Sequence, residues 1–223
     1  MAKLSALIPA VASSLGIPEK TVAIYARHLR KARLLSTGGR GPGGAEMTPA
    51  DCANLLIAIL AADYAKNAAE TVLRYRALLA GREQTRWQLP HLPLPPLTEL
   101  PEHHPFGQAL EALIAASKDG ALEAALNSAS EMLEQERIPF PVTLEILVVG
   151  PVPVARISLW ASKWGESVGY AAPDPWLKSD EPSEKEVSAW NEEIQRHGPL
   201  GDLEQVRRIS AKTILVLGQL LRR

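Results

Sequence analysis

Six prolines within residues 87–105, "WQLPHLPLPPLTELPEHHP", set the strongest limit on how this chain folds. Each proline fixes its own φ and offers no backbone N–H, and each steers the residue before it away from helix. The stretch reads as a stiff, extended connection whose leucines and Trp87 lie along a surface. It divides the 223 residues into a first module at 1–86 and a second at 106–223.

Hydrophobic spacing on either side differs. In the first module it predicts helices near 3–14, 18–33, 49–64 and 67–80. Gly16 separates the first two, and Thr48-Pro49 with Asp51 forms a helix-start signal for the third. Between them, "RLLSTGGRGPGGAEMT" reads as a short strand and a glycine-rich, hairpin-like excursion. In the second module, "FGQALEALIAASKDG" and "ALEAALNSASEMLEQE" are helical. The period then changes to strands in "VTLEILVVG", "ARISLWAS" and "ESVGYAA". Residues 172–186 read as loop. Helices are expected at 183–196 and 210–222, although "KTILVLGQLL" also suits a strand and turn. The fold class is mainly α with a small β component, and the second module is α+β. A composition of 46% apolar and 22% charged residues supports packed cores rather than disorder.

Charge is unevenly placed. Residues 1–47 hold Lys3, Lys20, Arg27, Arg30, Lys31, Arg33 and Arg40 against Glu19 and Glu46, which is +5; the total of −1 leaves −6 for the rest. A basic head on an acidic body permits nucleic-acid contact at one end.

The head also carries a specific geometry. Two helices that cross closely need a small residue, a turn residue with unusual backbone angles, and apolar residues at fixed offsets. Ala12 serves as the close-contact residue and Gly16 as the turn. Ile8, Val11, Leu15, Ile17, Val22 and Tyr25 then fall inward, and Pro18 opens the second helix. Glu19, Lys20, Thr21, Ala23, Ile24, Arg27 and His28 are left on or beside the outward face, where Ile24 is an odd resident. The segment "PAVASSLGIPEKTVAIYARHLRKARLLS" resembles the helix-turn-helix of bacterial and bacteriophage regulators, and "TGGRGPGGAEMT" is similar to the wing of winged-helix members. The resemblance covers residues 4–48. It implies an N-terminal winged helix-turn-helix whose second helix enters the major groove of double-stranded DNA while the wing touches the backbone. The contacting side chains would be Glu19, Lys20, Thr21, Ile24, Arg27, His28, Arg30, Lys31, Arg33 and, in the wing, Arg40. Glu19 departs from a purely basic surface, though a carboxylate can accept from cytosine N4. The competing reading is a helical hairpin with basic surface residues.

Other chemistry finds little footing. "GGRGPGG" lacks the Gly-Lys-Ser/Thr ending of a phosphate loop. His103-His104 lacks the helical spacing of metal ligands, and Cys52 reads as an apolar filler. No nucleophile turn is recognisable, so catalytic, cofactor and metal residues are not expected. Trp160, Trp164, Tyr170, Trp176 and Trp190 suit either a core or a pocket for a ligand or protein partner. The start, "MAKLSALIPAVASS", has an apolar run broken by Ser5 and Pro9, which disfavours a secretory signal. No stretch is long and apolar enough for a membrane span. The expected function is a cytoplasmic, sequence-specific DNA-binding regulator acting as a homodimer, with "CANLLIAILAADYA" and "AAETVLRYRALL" as the first candidates for the dimer surface. The alternatives are a phage DNA-packaging or other nucleoprotein-assembly factor, a protein adaptor, and an enzyme with a dispersed site.

Overall fold

The computed structural model describes residues 2–38, 44–81, 85–87, 95–135, 137, 141–161, 164–172, 181–197 and 204–222. Residues 39–43 of the glycine-rich excursion, Arg40 among them, and Trp176 lie outside the described residues.

Helix α1 (Leu4–Leu15) buries Leu7, Val11 and Ala12 along one side. It ends at Gly16, whose φ of 68° and ψ of 32° are left-handed; the N–H groups of Gly16 and Ile17 both return to the Ala12 carbonyl. A Cβ added here would meet no atom of the described residues within 4 Å, so glycine is needed for its backbone freedom alone. Helix α2 (Glu19–Lys31) follows, with Pro18 at the N-cap, and buries Val22, Ala26 and Leu29. Helix α3 (Pro49–Ala61) starts in a capping box made by Thr48 and Asp51. Its residues from Asp51 to Ala58 are all buried, which makes it the central helix. A 3-10 turn at Ala65–Asn67 leads into α4 (Ala68–Arg76).

Further along come α5 (Pro95–Thr98), α6 (Phe106–Asp119), α7 (Ala121–Gln135), α8 (Glu184–His197) and α9 (Ala211–Arg222). The strands are β1 (Leu79–Ala80), β2 (Thr85–Trp87), β3 (Thr143–Gly150), β4 (Val154–Ala161), β5 (Trp164–Ala171) and β6 (Gln205–Ser210). They form one antiparallel sheet in the order β1-β5-β4-β3-β6, with β2 also on β5. Alternation turns Leu144, Ile146, Val148, Ala155, Ile157 and Leu159 to one buried face. Helices α3 and α9 pack against this sheet.

Elements from before and after the proline-rich stretch share one hydrophobic cluster. Helix α1 lies on α9, α3 lies on α6, and β1 is hydrogen-bonded to β5. Arg207 of β6 reaches across and donates to the carbonyls of Ile59, Leu60 and Ala62 at the end of α3, at 3.2–3.3 Å. A cation there also suits the negative end of the helix dipole.

The helix expected at 210–222 forms, its buried Ile214, Leu217, Gly218 and Leu221 following the helical period. Two expectations change. The strand expected after Arg33 is absent among the described residues; Glu46 instead pairs with Lys3 in an isolated antiparallel bridge. Helix α3, the main part of "CANLLIAILAADYA", buries its apolar residues against α4 and α6, and the large apolar side chains that the two candidate dimer segments leave exposed are Tyr64 and Leu73.

The histidine pair anchors the connection. His103 Nδ1 donates to the Ala80 carbonyl at 3.0 Å. His104 is 6% exposed, with Nδ1 on the Pro101 carbonyl at 3.0 Å and Nε2 on the Tyr170 hydroxyl at 2.8 Å. Burial, aided by neighbouring His103, holds the His104 pKa below its ordinary value although the Pro101 hydrogen bond opposes this. The folded state therefore binds fewer protons at this site than the unfolded chain. Its stabilising contribution is complete above the ordinary histidine pKa of about 6.5 and is lost as pH falls toward the depressed folded value. Urea titrations at about pH 5.5 and 7.5 should show the wild type losing stability on acidification, and His104→Gln should lose measurably less. An equal loss in the two proteins would assign the pH dependence elsewhere.

Candidate nucleic-acid interface

Helix α2 presents two chemically distinct sides. Val22, Ala26 and Leu29 face α1, α3 and α4, and Tyr25 fixes the helix by donating from its hydroxyl to the Ala62 carbonyl at 3.1 Å. Lys20, Ile24, Arg27 and Lys31 stand four, three and four residues apart, the spacing of a single helical stripe, and all are exposed. Glu19, Arg30 and Arg33 are exposed beside them, while Thr21 and His28 are half-buried at the flank. From Glu19 to Arg33 the chain carries five lysine or arginine residues against one carboxylate.

Where α2 ends, the chain turns sharply. Arg33 takes a left-handed φ of 61°, a conformation that costs a non-glycine residue about 1 kcal/mol or more. The turn is closed by the Leu34 N–H on the Leu29 carbonyl at 2.9 Å and the Arg33 N–H on the Arg30 carbonyl at 3.1 Å. Buried Leu35 and the Ser36–Asp51 contact then pin the chain down. Asp51, 3% exposed, accepts from the Ser36 N–H at 2.6 Å and, at 2.8 Å each, from the Ser36 hydroxyl, the Thr48 N–H and the Thr48 hydroxyl. One carboxylate therefore holds both ends of the glycine-rich excursion.

A cleft of about 420 Å³ runs between α1 and α2. Leu4, Ile8, Ala23 and Ala26 supply its apolar wall, Arg27, Arg30 and Lys31 its charge, and Thr37 its far edge; among the described residues no carboxylate lines it. Such a combination can hold a sugar-phosphate chain, the apolar wall against a sugar and the cations at phosphates.

The sequence-derived set is thus brought together from Glu19 to Arg33 on one helix and its exit turn, and Arg40 lies outside the described residues. Leu4 and Thr37 are absent from the sequence-derived set, and Ile8, expected to face inward, is half-buried and lines the cleft. Leu4 and Ile8 are one helical turn apart on α1, a signal that an i, i+4 search of both helices would find. The aromatic cluster resolves differently. Tyr170 is core, packed on Phe106 and His104, whereas Trp160 is 41% exposed on the outer face of β4.

Cys52 is buried, and burial, with the Asp51 charge beside it, raises its thiol to about 12, which leaves it unreactive at neutral pH. Among the described residues no group of three or more His, Cys, Asp or Glu is placed to hold a metal, and no helix is long and apolar enough to cross a membrane. Family models, curated proteins and solved structures give no match to this chain.

Proposed function

We propose that the chain binds double-stranded DNA sequence-specifically, as a transcriptional regulator of bacterial or phage type, with α2 seated in the major groove. One observation carries this reading: a helix wedged in place on one side presents an exposed stripe of Lys20, Ile24, Arg27 and Lys31 on the other. A major groove admits one helix, and cations on its exposed face meet phosphates and base edges. Arg27, Arg30 and Lys31 around the cleft fit the adjoining backbone. The protein acts as a homodimer, because one short helix reads few base pairs and a twofold pair can match half-sites one DNA turn apart.

Binding to genomic fragments, titrated with salt and followed by footprinting, tests the reading. Affinity should fall steeply with salt, and replacing Lys20, Arg27 or Lys31 by Gln should each lower the logarithmic salt slope by about one where that cation meets a phosphate. Lys118→Gln and Lys185→Gln should behave as wild type. A discrete palindromic footprint supports regulation, and dimers in sedimentation support the homodimer. Broad coverage by a ring-like oligomer would favour nucleoprotein assembly instead. Absence of binding at low salt, or wild-type binding by all three variants, would overturn the proposal.

A further inference from the structure

The exposed stripe of α2 contains one residue that charge does not explain. Ile24 is 43% exposed and sits between Lys20 and Arg27 on the outward face. Its neighbour Ala23 is exposed as well, so the centre of an otherwise cationic surface is apolar. A β-branched apolar side chain gains nothing for helix stability at a solvated position, where lysine or glutamine forms helix better. The inward side of α2 is already filled by Val22, Ala26 and Leu29, and Ile24 adds nothing to that core.

An occupant for this position must be anionic around its edge and apolar at one point. A second copy of the same face fails the first condition, since it would set Lys20, Arg27 and Lys31 against their own like charges. DNA meets both. Its phosphates complement the cations, and the thymine C5-methyl is the apolar feature that base pairs display in the major groove. We infer that Ile24 reads thymine by packing against its C5-methyl group, which makes it the specificity-determining residue at the centre of the stripe. The inference rests on the DNA-binding reading and deepens it: the recognised half-site contains thymine opposite the middle of α2, flanked by contacts from Lys20 and Arg27.

The test uses the full chain and the footprinted genomic duplex of highest affinity, resynthesised with deoxyuridine at each thymidine under the footprint. This removes methyl groups and leaves every hydrogen-bonding edge intact. Wild-type affinity should fall about fourfold for each methyl group that Ile24 covers, the factor that corresponds to burying one methylene-sized group. Ile24→Gln should bind the thymidine and deoxyuridine duplexes equally, and Ile24→Val, which keeps a branched apolar tip, should retain part of the difference. Ile24 is exposed, so circular dichroism of both variants should match the wild type. Equal wild-type affinity for the two duplexes would overturn the inference and leave DNA binding standing. Undiminished discrimination by Ile24→Gln would overturn it too, by placing the methyl contact on another residue. If Ile24→Gln instead converted a dimer to a monomer, the side chain would belong to a protein contact and the inference would fall. Failure of the wild type to bind any fragment would remove the functional proposal itself, and this inference with it.

Discussion

Gly218→Ala is expected to destabilise the protein by at least about 2 kcal/mol, lowering Tm by about 4–8 °C for a chain of this size. At Gly218 helix α9 meets α6 at its closest point, and an added Cβ would lie 2.1 Å from Ser117 Oγ and 2.5 Å from both the Ser117 carbonyl carbon and Cβ. One of those atoms is backbone, so no rotamer change relieves the clash and the two helices must separate. Separation would loosen the packing that α9 provides to α1, α3 and the sheet. Ser117→Ala alone should be close to neutral, since its buried hydroxyl has no hydrogen-bond partner among the described residues. In the Gly218→Ala background it should restore only part of the loss, because the contact with backbone remains. Thermal and urea unfolding of the three variants checks this order. Wild-type stability in Gly218→Ala would show that the helices can part at no cost.

The helices that carry the candidate interface were readable because local rules agree there. Gly16 marks a left-handed position, Thr48-Pro49 with Asp51 marks a helix start, and Val22, Ala26 and Leu29 repeat at the helical period. Strand β6 was not readable. Its "QVRRIS" sets two arginines side by side and puts Val206 and Ile209 on opposite faces, so burial alternates along the strand while apolar character does not. Strands β1 and β2 are two and three residues long, too short to show any period. Long-range ties were invisible for another reason: Arg207 on the end of α3 and His104 on Tyr170 join residues 145 or more and 66 positions apart, and spacing rules carry no information at that range. The outward position of Ile24 was legible from helical phase alone. Its isolation between cations on an otherwise filled helix became an argument only once the burial of the opposite side was known.

Asp51→Ala should cost about 3–5 kcal/mol, the largest loss expected from any single polar substitution here. The capping box of α3 was legible in the sequence, but the same carboxylate also takes both the N–H and the hydroxyl of Ser36, fifteen residues earlier. Removing it leaves the Ser36 and Thr48 N–H groups without their acceptor in a nearly closed site, and strips α3 of half its cap. Asp51→Asn should be milder, at about 1–2 kcal/mol. Its single carbonyl oxygen can still take the Ser36 N–H, and the two hydroxyls can rotate to accept from the new amide, but the Thr48 N–H then faces a donor. The two variants also separate fold from function. Ser36 follows directly on the turn that carries Arg33, so its release slackens the exit from α2 and the base of the glycine-rich excursion together. On the proposed DNA-binding reading, folded Asp51→Ala should therefore bind DNA several-fold more weakly than Gly218→Ala measured at the same folded fraction, since Gly218 lies on α9, away from this clamp. Equal affinities for the two would show that the clamp serves stability alone and that the excursion takes no part in binding.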